Sequence, residues 1–468
     1  MKYVSTRGQA PEADFEQVLL TGLASDGGLY VPKYWPHFST HELAMLAGLA
    51  YPDLALRIMQ PLVGAAIGTP ALKLMIEEAY AGFDHAAVTP LRQLDHNTWL
   101  MELFHGPTLA FKDVALQLVG RLFDHVLEKR GGRVCILTAT SGDTGSAAIH
   151  AIKGNAAADI FVLHPKGRTS EIQRRQMTTV LAPNVHNLAI QGSFDDCQNL
   201  VKAMFNHSEF RARMNLSGMN SINWARILPQ IVYYFHAVLA LGGGARAVDF
   251  SVPTGNFGDI YAGYAAKRMG LPINRLLIAT NSNDILTRTL ETGTYSLAEV
   301  QATVSPSMDI QVSSNFERLL YEAVGRGSVA PYFQNLAQSG SFTLPHGAHD
   351  YITGQFSAYR ANENATLNEI RRTYQETGLL IDPHTAVGRV ASRLYAGEPQ
   401  TPMVVLATAH PAKFPEAVEE ATGIRPQLPA RYHDLMTMPE RYTTLPNEAA
   451  AAEAFIEAHC QGKDAGLA

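Results

Sequence analysis

The 468-residue chain has only three cysteines, Cys135, Cys197 and Cys460, scattered without Cys-x-x-Cys spacing. Neither a disulfide framework nor a cysteine-based zinc site is indicated. No apolar run reaches 18 residues, and Met1-Lys-Tyr-Val-Ser-Thr-Arg7 carries no apolar signal core. The expectation is a chain with no membrane partner and no transmembrane helix, in a reducing cytoplasm. A basic stripe is missing too, and the formal net charge is −6, which argues against nucleic acid as the main partner. The 17 histidines include no His-Glu-x-x-His and no pair spaced along one helix face, so no metal site is expected. Internal repeats and low-complexity linkers are absent.

What is present is a globular composition, 46% hydrophobic and 17% charged, on a chain too long for one ordinary core. Residues 1 to about 90 read as a mostly helical unit with proline breaks at Pro32, Pro52, Pro61 and Pro70. From Val134 onward short apolar runs alternate with helical ones. Strands are expected at Val134–Ala139, Ile160–Leu163, Val185–Ile190, Val248–Val252, Leu276–Ala279 and Met403–Ala407. Helices are expected through Ile152 and over Asp195–Phe205, Leu228–Leu241 and Asp259–Met269. Such alternation implies βαβ units, a buried parallel sheet and an α/β fold. Residues 282 to about 380 lack a strong strand run and read as a helical insertion or a helical part of a second lobe. Residues 431–468 form a tail, helical from Glu448 towards Gly462. The expected division is thus 1–90, 91–430 and 431–468. Cys135, inside the run Val134 to Leu137, reads as a buried, inert core residue.

Chemistry concentrates in a few turns. In His105-Gly-Pro-Thr-Leu-Ala-Phe-Lys112-Asp113 a lysine follows a Gly-Pro turn. It precedes the helical apolar stripe Val114, Ala115, Leu118, Val119, Leu122, Phe123 and Val126. Partial desolvation and the positive end of a helix both disfavour an ammonium there, and a neutral amine is what condensation with an aldehyde cofactor requires. The plainer alternative is a solvated lysine in a helix's first turn.

Pro253-Thr-Gly-Asn-Phe-Gly-Asp259 joins an expected strand to an expected helix, which suits a phosphate at Thr254, Gly255, Asn256, Phe257 and Gly258, or serves simply as a turn. Thr140-Ser-Gly-Asp-Thr-Gly-Ser-Ala147 has the same layout. It lacks the Gly-Lys-Ser/Thr ending of a Walker loop and the Gly-x-Ser-x-Gly frame of a nucleophile elbow. Its amides and hydroxyls suit a carboxylate; a turn capped by Ser or Thr is the alternative. Asn220-Ser-Ile-Asn-Trp-Ala-Arg226 reads either as a helix start, with Asn223 as cap and Arg226 exposed, or as an anion cradle in which Arg226 grips a phosphate. Thr408 ends the apolar run Val404–Ala407 and is a candidate cap. His410 and Lys413 read as local structure.

Six segments, Tyr3 to Gly8, Asp26 to Pro32, His105 to Gln117, Thr140 to Ala148, Asn220 to Arg226 and Gly255 to Asp259, closely resemble those of threonine synthases. Those are enzymes dependent on pyridoxal 5'-phosphate (PLP). The resemblance implies a two-lobed, parallel-sheet fold of the tryptophan-synthase-beta-like type with an N-terminal, mostly helical domain. It implies a lyase that converts O-phospho-L-homoserine and water to L-threonine and phosphate. Lys112 would carry PLP and move protons. Thr254, Gly255, Asn256, Phe257 and Gly258 would hold the cofactor phosphate, and Thr408 the pyridine nitrogen. Asp143 would lie near the phenolic oxygen, where many relatives carry Asn; its protonation is then an open question. Ser141 and Thr144 would receive the substrate carboxylate, and Ser221, Asn223 and Arg226 the substrate phosphate. Two rival readings stand beside this one: a PLP-dependent serine/threonine dehydratase or phospho-lyase, and a non-catalytic homologue that only binds ligands.

Overall fold

In the computed structural model, which describes residues 1–461, the chain forms two compact units. The first holds Met1–Val18, Leu23–Phe111 and Ser221–Pro426; the second holds Leu19–Gly22, Lys112–Asn220 and the described residues from Gln427 onward.

The second unit is built on a five-stranded, fully parallel sheet in the order Thr443–Leu445, Val185–Ile190, Ala158–Pro165, Val134–Ala139, Leu216–Ser217. Its central strand Ala158–Pro165 is buried at every residue, as a strand covered on both faces must be, hence its nearly unbroken apolar sequence. Leu137, Phe161, Leu163, Leu188 and Ile190 pack with the helices Phe194–Asn206 and Ala449–His459. All three cysteines lie in this cluster, buried and not joined in disulfides. A hydrogen bond with Cys460, reinforced by burial, pushes the Cys135 thiol well up, consistent with an inert core residue.

The helix Lys112–Arg130 buries the whole expected stripe from Val114 to Val126. Each such Leu, Val or Phe contributes about 1.5–3 kcal/mol on burial, so packing rather than propensity holds the helix.

The first unit carries a six-stranded sheet in the order Phe356–Arg360, Ile273–Thr280, Val248–Pro253, Met403–Ala407, Thr98–Glu102, Leu91–Gln93. It is parallel except for the hairpin between its last two strands. Leu100, Leu277 and Val405 pack with Ile370, Ala386 and Val418 from helices on one face. Val248–Pro253 and Met403–Ala407 deliver Thr254 and Thr408 at their C-terminal ends, where open parallel sheets bind ligands.

The structure differs from expectation in several places. Pro52 and Pro70 open the helices Tyr51–Val63 and Thr69–Tyr80 rather than breaking them, since the first helical turn needs no N–H from these residues. Pro61 lies inside Tyr51–Val63, and the helix continues through it. The N-terminal region also contains an antiparallel pair, Tyr3–Ser5 with Tyr30–Pro32. The stretch 282–380 is largely helical, yet it contributes the edge strand Phe356–Arg360 and the pair Thr294–Ser296 with Ser341–Thr343. The tail helix is Ala449–His459; Gly462 lies outside the described residues.

Candidate active site

In the first unit the turn before the lysine is tied to the chain after Met403–Ala407. Phe111 N–H donates to Thr408 O at 2.8 Å, His410 N–H to Leu109 O at 3.0 Å, and the buried Lys413 Nζ to Thr108 O at 2.7 Å. Leu109 takes the left-handed conformation, φ 61°, at a position buried to 1% exposure. An L-residue there costs about 1–2 kcal/mol, so the surrounding bonds must impose it. His410 caps the short turn Pro411–Lys413, accepting from Ala412 N–H. The cap is therefore His410, and Thr408 itself sits 5% exposed at the strand end. His410 and Lys413 are local structure, as read.

In the second unit Lys112 is the first residue of its helix, with its side chain only 11% exposed, so the solvated alternative fails. Its Nζ stands 3.4 Å from Asp143 Oδ2. Asp143 opens the helix Asp143–Ile152 and also accepts from Gln173 Nε2 at 2.9 Å. Gln173 is 3% exposed and belongs to a capping box with Ser170 at the start of the helix Glu171–Thr178. The turn between strand and helix is closed by Thr140 Oγ1, which accepts from both Gly142 N–H and Gly145 N–H at 2.9 Å. Those two amides are thereby spent, and Ser141 and Thr144 stand half-buried beside them. Gly142, at φ 145°, cannot be replaced cheaply: a Cβ would lie 2.5 Å from the Gln173 Cδ. Sequence reasoning missed Gln173, because nothing local marks a glutamine thirty residues from its partner.

The remaining candidates lie in the first unit. Thr254 N–H donates to Ala279 O at 2.8 Å and its hydroxyl to Val252 O at 2.6 Å, continuing the strand edge into the loop. A Cβ on Gly255 would stand 3.0 Å from Ser307 O, so only glycine leaves that approach open. Phe257, buried to 1% exposure and at φ 64°, precedes the helix Gly258–Arg268, whose first amides have no intrahelical acceptor. Asp259 in that first turn is fixed by the hydroxyls of Tyr233 and Tyr234.

Asn223 caps the helix Trp224–Gly242, accepting from Ala225 N–H at 3.0 Å. Arg226, however, is only 5% exposed, which overturns the exposed first-turn reading, and burial draws its guanidinium down to about 10. The turn is anchored by Trp224, whose Nε1 donates to Tyr3 OH at 3.0 Å.

Among the described residues no helix is long and apolar enough to cross a membrane, and no three His, Cys, Asp or Glu side chains gather as a metal-holding group.

The model of the threonine synthase N terminus matches residues 2–80, that of pyridoxal-phosphate dependent enzymes 83–409, and that of the threonine synthase C-terminal region 385–456. Threonine synthase of Pseudomonas aeruginosa is 53% identical over 462 residues, covering 98% of each chain. The chain belongs to the threonine synthase family. PLP-bound threonine synthase from Brucella melitensis superposes with a TM-score of 0.96 at 54% identity, covering 98% of this chain and all of that one. The yeast threonine synthase structure gives 0.92 at 39% identity, covering 98% of each. As a member of the threonine synthase family the chain is a PLP-dependent lyase of threonine biosynthesis, with the α/β fold of those enzymes. Its residues suit the cofactor: a dry lysine at a helix start, a glycine loop packed closely on Ser307 O, and a hydroxyl at a strand end.

Proposed function

We propose that the enzyme converts O-phospho-L-homoserine and water to L-threonine and phosphate, in the cytoplasm. The observation that carries the substrate class is Arg226. It is a buried cation in a turn of its own, separate in sequence from the glycine loop, so the chain offers one anion site for a cofactor phosphate and another for a substrate phosphate.

In this reading Lys112 holds the cofactor through its ε-amine, and the released amine takes the substrate Cα proton and returns protons along the chain. Thr254, Gly255, Asn256, Phe257 and Gly258 would hold the cofactor phosphate, and the Thr408 hydroxyl would hydrogen-bond the pyridine nitrogen. A neutral hydroxyl leaves that nitrogen largely unprotonated. Bound PLP supplies the electron sink that makes the Cα–H acidic. Asp143 would lie near the phenolic oxygen, and the bond it accepts from Gln173 Nε2 would offset part of the repulsion between neighbouring oxygens. Ser141 and Thr144 receive the substrate carboxylate. Ser221, Asn223 and Arg226 receive the departing phosphate, which leaves Cγ while water adds at Cβ.

The test is a product assay on phosphohomoserine with purified enzyme. Threonine and phosphate in equal amounts support the proposal; 2-oxobutyrate as the main product would assign the chain to elimination alone.

A further inference from the structure

Within the segment Ser313-Ser-Asn-Phe-Glu-Arg318, the side chains of Ser313, Asn315 and Arg318 bond the two turns assigned above to anions. Ser313 Oγ donates to Gly255 O at 2.6 Å. Asn315 donates to Asn256 O twice, from its backbone N–H at 3.0 Å and from Nδ2 at 2.9 Å. The same Nδ2 donates to Ser221 O at 3.2 Å. Asn315 Oδ1 accepts from the Arg318 guanidinium, which also donates to Ile222 O at 2.6 Å and to Tyr30 O at 3.0 Å. Asn315 and Arg318 are fully buried, and the Phe316 ring meets the Phe257 ring edge-on at 5.6 Å.

A trans peptide is planar, so fixing its carbonyl fixes its N–H in the opposite direction. Bonds to Gly255 O and Asn256 O therefore aim the N–H groups of Asn256 and Phe257. Bonds to Ser221 O and Ile222 O likewise aim those of Ile222 and Asn223. The left-handed Phe257 would not hold its conformation unaided, and the bonds on Asn256 O together with the Phe316 ring supply the restraint. One asparagine amide bonds both turns at once.

We infer that Asn315 and Arg318 are positioning residues that aim the amides of the cofactor-phosphate loop and the substrate-phosphate turn and set the spacing between them. This rests on the roles proposed for those turns. The decisive variant is Asn315→Asp, which keeps an acceptor for Arg318 but removes the donor shared by Asn256 O and Ser221 O. Two affinities are measured: PLP, by spectroscopic titration of the resolved enzyme, and inorganic phosphate, by competition with substrate in the holoenzyme. Asn315→Asp should weaken both by about tenfold, raising KM more than it lowers kcat, while Arg226→Ala weakens phosphate alone. Ser313→Ala, which loses only the bond to Gly255 O, should weaken PLP alone. Wild-type values for both ligands in folded Asn315→Asp, or wild-type PLP affinity in Ser313→Ala should Asn315→Asp not fold, would overturn the inference. If Arg226→Ala also binds phosphate normally, the turn assignment itself has failed; if only the Asn315 variant is silent, the positioning role has.

Discussion

The two units hold their chemistry by different means. In the second, the turn at Thr140 closes on itself, with one hydroxyl taking two of its own amides, and Asp143 is steadied by a glutamine of the next helix. In the first, the loops at Thr254 and Ser221 are shaped by residues 58 to 96 positions later, Ser313, Asn315 and Arg318. A self-closed turn keeps its form as its surroundings change, whereas a turn held from afar has a form only when the rest of its unit is assembled. Substitutions near Lys112 should therefore damage chemistry, and those around the first unit's loops should damage ligand affinity.

The strongest test of that division is Lys112→Ala, which should lower turnover by at least about 1,000-fold while the protein stays folded. The near-visible absorption of the cofactor-loaded enzyme should be lost as well; borohydride labelling of a different residue would break the division at its root. Next, Arg226→Ala should raise KM for phosphohomoserine by about 10- to 100-fold with PLP affinity unchanged, the scale of one charge-assisted bond. Equal loss of both would make Arg226 structural.

Gln173→Ala should lower kcat by about five- to tenfold with little change in KM, since it removes a donor from Asp143. Gln173→Glu, facing Asp143 with a like charge, should be worse. A KM effect alone would assign Gln173 to packing.

The smallest effect concerns acid. Burial pulls His164 and His186, both on the second unit's sheet, from 6.5 to about 4. The unfolded chain then binds more protons than the folded one between those values, so stability falls as pH drops from 6.5 to about 4. Hydrogen exchange followed over that range should show protection lost first in Ala158–Pro165 and Val185–Ile190. Simultaneous loss throughout both units would contradict this.

How much could be read from residues alone follows the same line. Val134–Ala139, Val185–Ile190 and Met403–Ala407 were recovered to the residue because largely buried parallel strands are written mostly in apolar residues, without a break in Met403–Ala407 and with His186 and Asn187 as the polar exceptions in Val185–Ile190. Phe356–Arg360 escaped because it is an edge strand, half-exposed, with Ser and Arg among its five residues. Lys112 and the glycine turns are local patterns of strand, turn and helix start. Burial of Arg226 was not readable, since a helix's first turn is exposed or covered according to what packs over it. Asn315 and Arg318 lay in a stretch expected only to be helical, and their meaning exists solely in contacts made across the sequence.

The placement of the thiols has a practical use. Cys135, Cys197 and Cys460 all sit in the second unit's core, at most 3% exposed, and the chain has no others. A maleimide dye should therefore stay dark on the native enzyme and light up only when that half breathes, giving a reporter of regional opening that needs no engineered label.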